Sequence, residues 1–549
     1  MIQFDAHPAL YRHWRLTVSG TTATLLLKVD ENAGLFPGYE LKQNSYDLGV
    51  DIELRDAVTR LRFEHPCVNS VVITGSGSGS FCAGANIRML AGASHHHKVN
   101  FCKFTNETRN DIEDASAHAG QRYVAALNGT AAGGGYELAL ACDHIVLLDD
   151  GFSAVSFPEL PLLAVLPGTG GLTRLVDKRH VRRDLADHFA THEEGERGQG
   201  ALNAGLIDAT IPRSQWEAYI QDLCAQQPLT PDKPAIGINL EPLTAERSED
   251  RLAYGLVTVD IQRETRIASI SLSGPAGLAP QTAEQALLQG ANFWPLQLMR
   301  ELDDALLHLR FNEPLIGTIV IRTSGDSDLV SACSRLLNSN GPHWFINEVR
   351  HLTKRVLQRL DLTSRSIFTL VEPGSCFHGV LAELLFAADQ VMMLQGVFEE
   401  ASDQLPAATI SVDDSNFGTY PMVTGISRLE ARFWGDPEHY RETMSLIGRS
   451  LDAQSADQAG LITRRFDDLD WEDEIRLILQ ARASFSPDAL TGLEANLRFP
   501  GPETMQSKIF ARLSAWQNWI FQRTNATGAH GALPCYGTGE RPVFDMRRV

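Results

Sequence analysis

The sequence contains no run of about 18 consecutive apolar residues, the minimum for a membrane-spanning helix, so no such helix is expected. Its first twenty residues, MIQFDAHPALYRHWRLTVSG, lack the charged, apolar and small-residue regions of a secretory signal, and a cytoplasmic location is expected. Basic residues are in deficit: 48 Lys and Arg face 68 Asp and Glu, a formal charge of -20. Such a field repels polyanions, and no window concentrates enough Lys or Arg to outline a nucleic-acid footprint. Cysteine is sparse, eight in all, with no CxxC and no Cys/His ligand spacing. That excludes a disulfide scaffold and a zinc ribbon and predicts reduced, mostly buried thiols. His95, His96 and His97 are consecutive, and neighbours in a row do not converge on one ion; they read as a polar loop, and no metal is expected.

The 549 residues exceed what one core supports, so two or more domains are expected. Short apolar runs rich in β-formers (TATLLLKV, SVVITG, QRYVAALNG, HIVLL) alternate with helical periodicity (ELRDAVTRLRFE, GYELALACD). This is the α/β pattern of parallel strands joined by crossover helices. The pattern occurs twice. ELALACD at 137–143 recurs as ELLFAAD at 383–389, an offset of 246 (383 minus 137), and VVIT at 71–74 matches IVIR at 319–322, an offset of 248 (319 minus 71). GGLTRLV at 170–176 and AGLIDATI at 204–211 pair in the same order with TGISRLE at 424–430 and AGLITRRF at 459–466. Conserved order with slowly drifting offset predicts two copies of one domain. The Pro-rich, charged stretch 227–250 reads as the connection and IASISLSG at 267–274 as the opening strand of the second copy. The expected division is 1–250, 251–479, and a C-terminal helical region at 480–549.

Residues able to carry chemistry concentrate between Phe81 and Arg174. In SFCAGANIRML a turn of small residues follows the strand SVVITG, and in LNGTAAGGGYELALACD a strand runs into three glycines that open a helix. Amides at a helix start lack intrahelical partners and favour negative charge. Two of them aimed at one oxygen make an oxyanion hole. With the third element, FPELPLLAVLPGTGGLTRL, these segments resemble the crotonase (enoyl-CoA hydratase/isomerase) superfamily over residues 20–225.

The resemblance implies tandem crotonase-like domains, each a ββα superhelix, the second degenerate. It implies a CoA-thioester substrate and no cofactor beyond that CoA. Ala85 and Gly134 take the oxyanion-amide positions, and Glu137 and Glu159 the acid/base positions. Cys102, in a segment that lines the acyl pocket in this superfamily, and Tyr136, beside Glu137, become substrate contacts, with burial in the core as the alternative for both.

Three departures stand out. Asn86 replaces the usual Asp, without consequence for the Ala85 amide. A long insert, NAGLFPGYELKQNSYDLGVDI at 32–52, separates the first strands from the first helix. In the second copy Val380 stands opposite Gly134 and SACS around Cys333 replaces CAGA, while Glu383 and Asp413 stand opposite Glu137 and Glu159. Insert, length and fused copy resemble a ring-opening branch of the superfamily, implying hydrolytic opening of an aromatic-ring epoxide thioester. The alternatives are an aliphatic enoyl-CoA hydratase or isomerase and a non-catalytic CoA-binding protein. A fused pseudo-dimer needs few subunits, and a homodimer is expected.

Overall fold

The computed structural model describes residues 1–77, 79–227, 233–399 and 405–549; positions 228–232 of the expected connection lie outside the described residues. Two compact units result, Gln3–Pro242 and Leu243–Val549, the latter including Met1–Ile2.

In the first unit the strands are β1 (Trp14–Ser19), β2 (Thr22–Leu27), β3 (Ser70–Gly75), β4 (Ser80–Cys82), β5 (Arg122–Leu127), β6 (Thr130–Ala132), β7 (His144–Asp149), β8 (Ala154–Ser156), β9 (Glu196–Arg197) and β10 (Ala209–Pro212). The larger sheet has the order β1-β2-β3-β5-β7-β10 and the smaller β4-β6-β8-β9. The β1–β2 hairpin is antiparallel and the remaining pairs of the larger sheet are parallel. The near-continuous apolar runs of β3, β5 and β7 are buried on both faces, as parallel strands require. Val72, Val124, Val146 and Leu148 pack there with Trp216.

The helices that frame the site are α1 (Leu48–Phe63), α2 (Ile87–Gly92), α3 (His95–His118), α4 (Gly134–Ala141) and α5 (Glu159–Leu163). Helix α1 starts where Asp47 accepts from the amides of Gly49 and Val50, and Arg60 and Arg62 occupy its last turn. It is buried almost all round, so its charges are paired: Arg60 with Asp56 and Glu64, Arg62 with Asp114, Asp51 with Arg109. The three histidines expected as a polar loop form the first turn of α3, where Ser94 accepts from His97 N. The cap supplies the missing helix signal, and His97 packs against Phe36 and Phe101. All eight cysteines are free thiols, six of them buried.

The second unit has one sheet, β11 (Glu246–Arg247), β12 (Arg251–Ala253), β13 (Val257–Gln262), β14 (Ile267–Ser273), β15 (Thr318–Ser324), β16 (Ser366–Val371), β17 (Gln390–Leu394) and β18 (Arg464–Phe466), in sequence order. An antiparallel pair, β13–β14, is followed by parallel β15, β16, β17 and β18, the succession seen in the first unit. Side chains repeat as well. Buried Glu53 accepts from the amides of Arg12, His13 and Trp14 at 2.7, 2.9 and 3.0 Å, and Glu301 accepts from Leu256 and Val257 at 2.7 and 3.0 Å. Asp143 takes the Tyr123 amide at 2.7 Å and Asp389 that of Ile367 at 2.8 Å.

Ile267–Ser273 is therefore not the opening strand of this unit: three strands precede it, and a cut at 250 would divide the β11–β12 hairpin. Position 480 lies inside the helix Asp468–Ser484, whose Trp471, Ile475 and Leu479 join the core of the second sheet. Residues 480–549 belong to that same compact unit. Among the described residues no helix is long and apolar enough to cross a membrane.

Glu53 generates a stability prediction. Glu53→Ala strands two buried donors, the amides of His13 and Trp14, and a partly buried one at Arg12, and is expected to lower the unfolding free energy by about 3 kcal/mol in urea titration. A loss under about 0.5 kcal/mol, the size of an ordinary surface substitution, would contradict this role.

Candidate active site

The two turns singled out in the sequence meet. Strands β4 and β6 pair in parallel, so the segments that leave them, Ala83–Asn86 and Gly133–Gly134, emerge side by side. Gly84, at φ +84°, lies so close to the second turn that a Cβ would stand 2.9 Å from Gly134 N and 2.8 Å from Ala132 O. Gly133, at φ +52°, reverses the chain into α4; its amide donates to Ser156 O at 2.9 Å, and its carbonyl accepts from the amides of Tyr136 and Glu137. Among the described residues, the amides of Ala85 and Gly134 have no hydrogen-bond partner. At Gly134 this follows from its place in the first turn of a helix. At Ala85 it follows from a parallel bridge to Tyr46, in which Tyr46 N donates to Gly84 O at 3.0 Å and Asn86 N to Tyr46 O at 2.8 Å. The bridge uses the groups on either side and leaves Ala85 N unused.

Two carboxylates flank these amides. Glu137, 2 % exposed on the first turn of α4, accepts from Thr169 N at 2.9 Å, from Gly171 N at 2.8 Å and from the Thr169 hydroxyl. Burial raises its pKa, while the Thr169 and Gly171 hydrogen bonds and nearby Arg109 hold it back. Glu159, the first residue of α5, places Oε1 2.3 Å from where a Cβ on Gly133 would sit, a position whose φ of +52° already favours glycine. Its Oε2 is buried without a partner among the described residues. Burial, with the charge of Glu137 adding, pushes Glu159 up to about 7. Unequal environments separate the acid/base behaviour of two carboxylates, as proton exchange near neutral pH requires.

Cys102, on α3, comes within 3.9 Å of a Cβ position on Gly168, in the loop that delivers Thr169 to Glu137. Burial and the charges of Glu137 and Asp51 push its thiol up to about 11, so it remains protonated. Tyr136 is not a site residue. Its ring lies between Phe157 and Phe189, with centroids at 5.3 and 5.6 Å, and its hydroxyl donates to Leu206 O at 2.7 Å. Adjacent residues on a helix diverge by about 100°, so Tyr136 and Glu137 do not share a face. Asn86 is more than a neutral replacement: Oδ1 caps α2 at Met89 N, and Nδ2 donates to Glu40 O at 2.8 Å and Ser45 Oγ at 3.0 Å. A carboxylate has no donor for those two contacts with the insert. Thr169, Tyr46, Asp51 and Arg109 were not singled out by sequence reasoning, although PGTGG and the insert contain the first three.

The second unit keeps part of this frame. Gly379, at φ +50°, donates to Ser411 O at 3.3 Å, as Gly133 does to Ser156 O, and a Cβ there would stand 2.9 Å from Asp413 Oδ2. The other turn has no counterpart among the described residues of this unit: Cys333 and Ser334 sit inside the helix Ser327–Ser339, where i to i−4 bonds consume the amides. Glu383 is ion-paired with Arg428 at 2.9 Å and bonded to Asn416 at 2.8 Å. Asp413 caps the short helix Asp414–Phe417.

The first unit's carboxylates yield a titration. In NMR of carboxyl-labelled protein, Glu159 is expected to titrate at about 7 and to fall in Glu137→Gln, where the like charge is removed. Because the folded value lies above the unfolded one of ~4.3, the native state holds the extra proton. The stabilisation from that proton is complete below ~4.3 and is lost as pH rises to the folded value. An ordinary carboxylate midpoint, unmoved by Glu137→Gln, would contradict the coupling.

Residues 41–235 match the enoyl-CoA hydratase/isomerase family model. Over 551 residues, covering 100% of this chain and 98% of the relative, the sequence is 49% identical to a benzoyl-CoA-dihydrodiol lyase of Aromatoleum evansii. A crotonyl-CoA hydratase of Syntrophomonas wolfei subsp. wolfei is 32% identical over 187 residues, 34% of this chain and 68% of that protein. A crystal structure of an enoyl-CoA hydratase from Geobacillus kaustophilus is 29% identical, spans 39% of this chain and 74% of its own, and superposes with a TM-score of 0.35. The match at both scales, one domain and the whole chain, makes this protein an enzyme belonging to the enoyl-CoA hydratase/isomerase family, on the branch of the benzoyl-CoA-dihydrodiol lyase.

Proposed function

We propose that the chain opens the ring of 2,3-epoxy-2,3-dihydrobenzoyl-CoA by hydrolysis, in the cytoplasm and as a homodimer, within aerobic benzoate degradation. The ring thioester takes up two waters and leaves as 3,4-didehydroadipyl-CoA semialdehyde and formate. Seven acyl carbons enter; six leave as the CoA ester and one as formate. The observation that carries the mechanism is the pair of apposed, partnerless amides at Ala85 and Gly134. The choice of ring substrate rests on the whole-chain likeness to the benzoyl-CoA-dihydrodiol lyase.

In this reading the thioester oxygen sits between the two amides. Negative charge delocalised from the opening ring collects on that oxygen, where fixed donors stabilise it without reorganising. Glu159, with one unpartnered oxygen and a pKa about 7, exchanges protons with water and the epoxide oxygen near neutral pH. Glu137, fixed by Thr169 and Gly171, is the second proton carrier. Cys102, beside this loop, remains a candidate substrate contact.

The second unit is, in this reading, a degenerate crotonase-like copy retained as a packing partner. Its Glu383 is tied to Arg428, which Asp361 shares, and its second amide is locked in a helix, so no paired hole is available there.

Steady-state assays with the epoxy-thioester test this directly. Glu137→Gln and Glu159→Gln are each expected to lower turnover by about a hundredfold or more, with calorimetric binding of a benzoyl-CoA thioester retained. Glu383→Gln combined with Asp413→Asn is expected to keep wild-type turnover once folding is confirmed by circular dichroism. Near-normal turnover in either first-unit variant removes that residue from the mechanism, and a severe loss in the folded double variant makes the second copy a catalytic partner. Hydration of crotonyl-CoA in preference to ring opening would favour the aliphatic alternative.

A further inference from the structure

The insert at 32–52 returns to the site and leaves one side chain there without an explanation. Tyr46 is 3 % exposed, yet its hydroxyl has no hydrogen-bond partner among the described residues. A buried hydroxyl left unpaired is costly, and native proteins seldom keep one without a use. This hydroxyl lies 2.0 Å from where a Cβ on Gly134 would stand, and a Cβ is only two bonds from its own backbone nitrogen. The phenol therefore reaches the immediate neighbourhood of the Gly134 amide, itself partnerless.

Its position is fixed from three directions. The Tyr46 backbone forms the bridge around Ala85, donating to Gly84 O and accepting from Asn86 N. The ring packs on Phe101 at 5.8 Å. Its other partner is the guanidinium of Arg109, 5.4 Å from the ring centroid, held by Asp51 at 2.6 Å. The Thr105 hydroxyl also donates to Asp51 and completes that anchor. A cation over the ring draws electron density from it and makes the O–H a better donor. Burial above all, with Asp51 and Glu137 adding, keeps the phenol well above its ordinary pKa, so it stays protonated.

We infer that Tyr46 is a catalytic residue: its hydroxyl is a third donor, beside the amides of Ala85 and Gly134, to the oxygen of the bound thioester. The assignment rests on the oxyanion reading of those two amides. It also gives the insert a function, since the insert carries both the donor and the strand segment that aligns Ala85. A merely space-filling tyrosine would be replaced by phenylalanine without consequence.

The test uses the full-length protein and Tyr46→Phe, an isosteric change that breaks no hydrogen bond within the protein. Infrared difference spectra of carbonyl-13C benzoyl-CoA bound to each protein report polarisation of the thioester C=O. The expected result is a lowered stretching frequency in wild type, a smaller lowering in Tyr46→Phe, and a fall in kcat of about tenfold or more with KM changed far less. Equal lowering in the two proteins with unchanged kcat overturns the Tyr46 assignment and leaves the two-amide hole standing. No lowering in wild type overturns both. A Tyr46→Phe protein that loses affinity but keeps the wild-type frequency shift makes Tyr46 a packing residue and likewise overturns the assignment.

Discussion

Everything at this site depends on how closely two pieces of backbone approach each other. Gly84 and the Gly133–Gly134 turn leave no room for a Cβ, because Ala132 O, Gly134 N, Glu159 Oε1 and the Tyr46 hydroxyl occupy the places where side chains would stand. The approach is imposed from below by pairing of β4 with β6 and from above by the insert. Two amides, of Ala85 and Gly134, are left without a partner among the described residues at the point of contact. Unpartnered donors of this kind are what the oxyanion hole proposed above requires.

The same frame in the second unit shows what the approach is worth. Gly379 keeps its positive φ, its amide keeps its strand contact and Asp413 keeps its place beside it. There Cys333 and Ser334 lie inside the helix Ser327–Ser339, and Glu383 is a buried carboxylate paired with Arg428, which also holds Asp361. A buried carboxylate with a guanidinium is a structural solution, since breaking such a pair is strongly destabilising. Buried acids such as Glu383 in the second unit are therefore accounted for by packing as readily as by chemistry.

Much of this was legible in the residue order. Strand runs, the helix after GGG, the internal repeat and the motif residues Ala85, Gly134, Glu137 and Glu159 are local signals, carried by glycine, by helix capping and by apolar period. What was not legible depends on chain returning from a distance. Tyr46 meets Gly134 across 88 positions (134 minus 46), through an insert with no periodicity to read. Arg109 joins them from α3 only because Asp51 on α1 holds it. For Tyr136 the sequence leaves a substrate contact and burial in the core both open, and the structure has the second, since the helix turns the ring into the Phe157 and Phe189 cluster. Of the three strands before Ile267, β11 and β12 are only two and three residues long and carry little signal, whereas β13 alternates over six residues and was readable.

The central claim, that apposed amides and two glutamates in the first unit open an aromatic ring rather than hydrate a chain, is tested most directly by the products of the wild-type protein. Purified chain, 2,3-epoxy-2,3-dihydrobenzoyl-CoA and water should give formate in one-to-one ratio with the thioester consumed, together with a CoA-bound semialdehyde. Consumption of the thioester without formate, or rapid formation of a 3-hydroxyacyl-CoA from crotonyl-CoA by a protein inert toward the ring, would contradict the account.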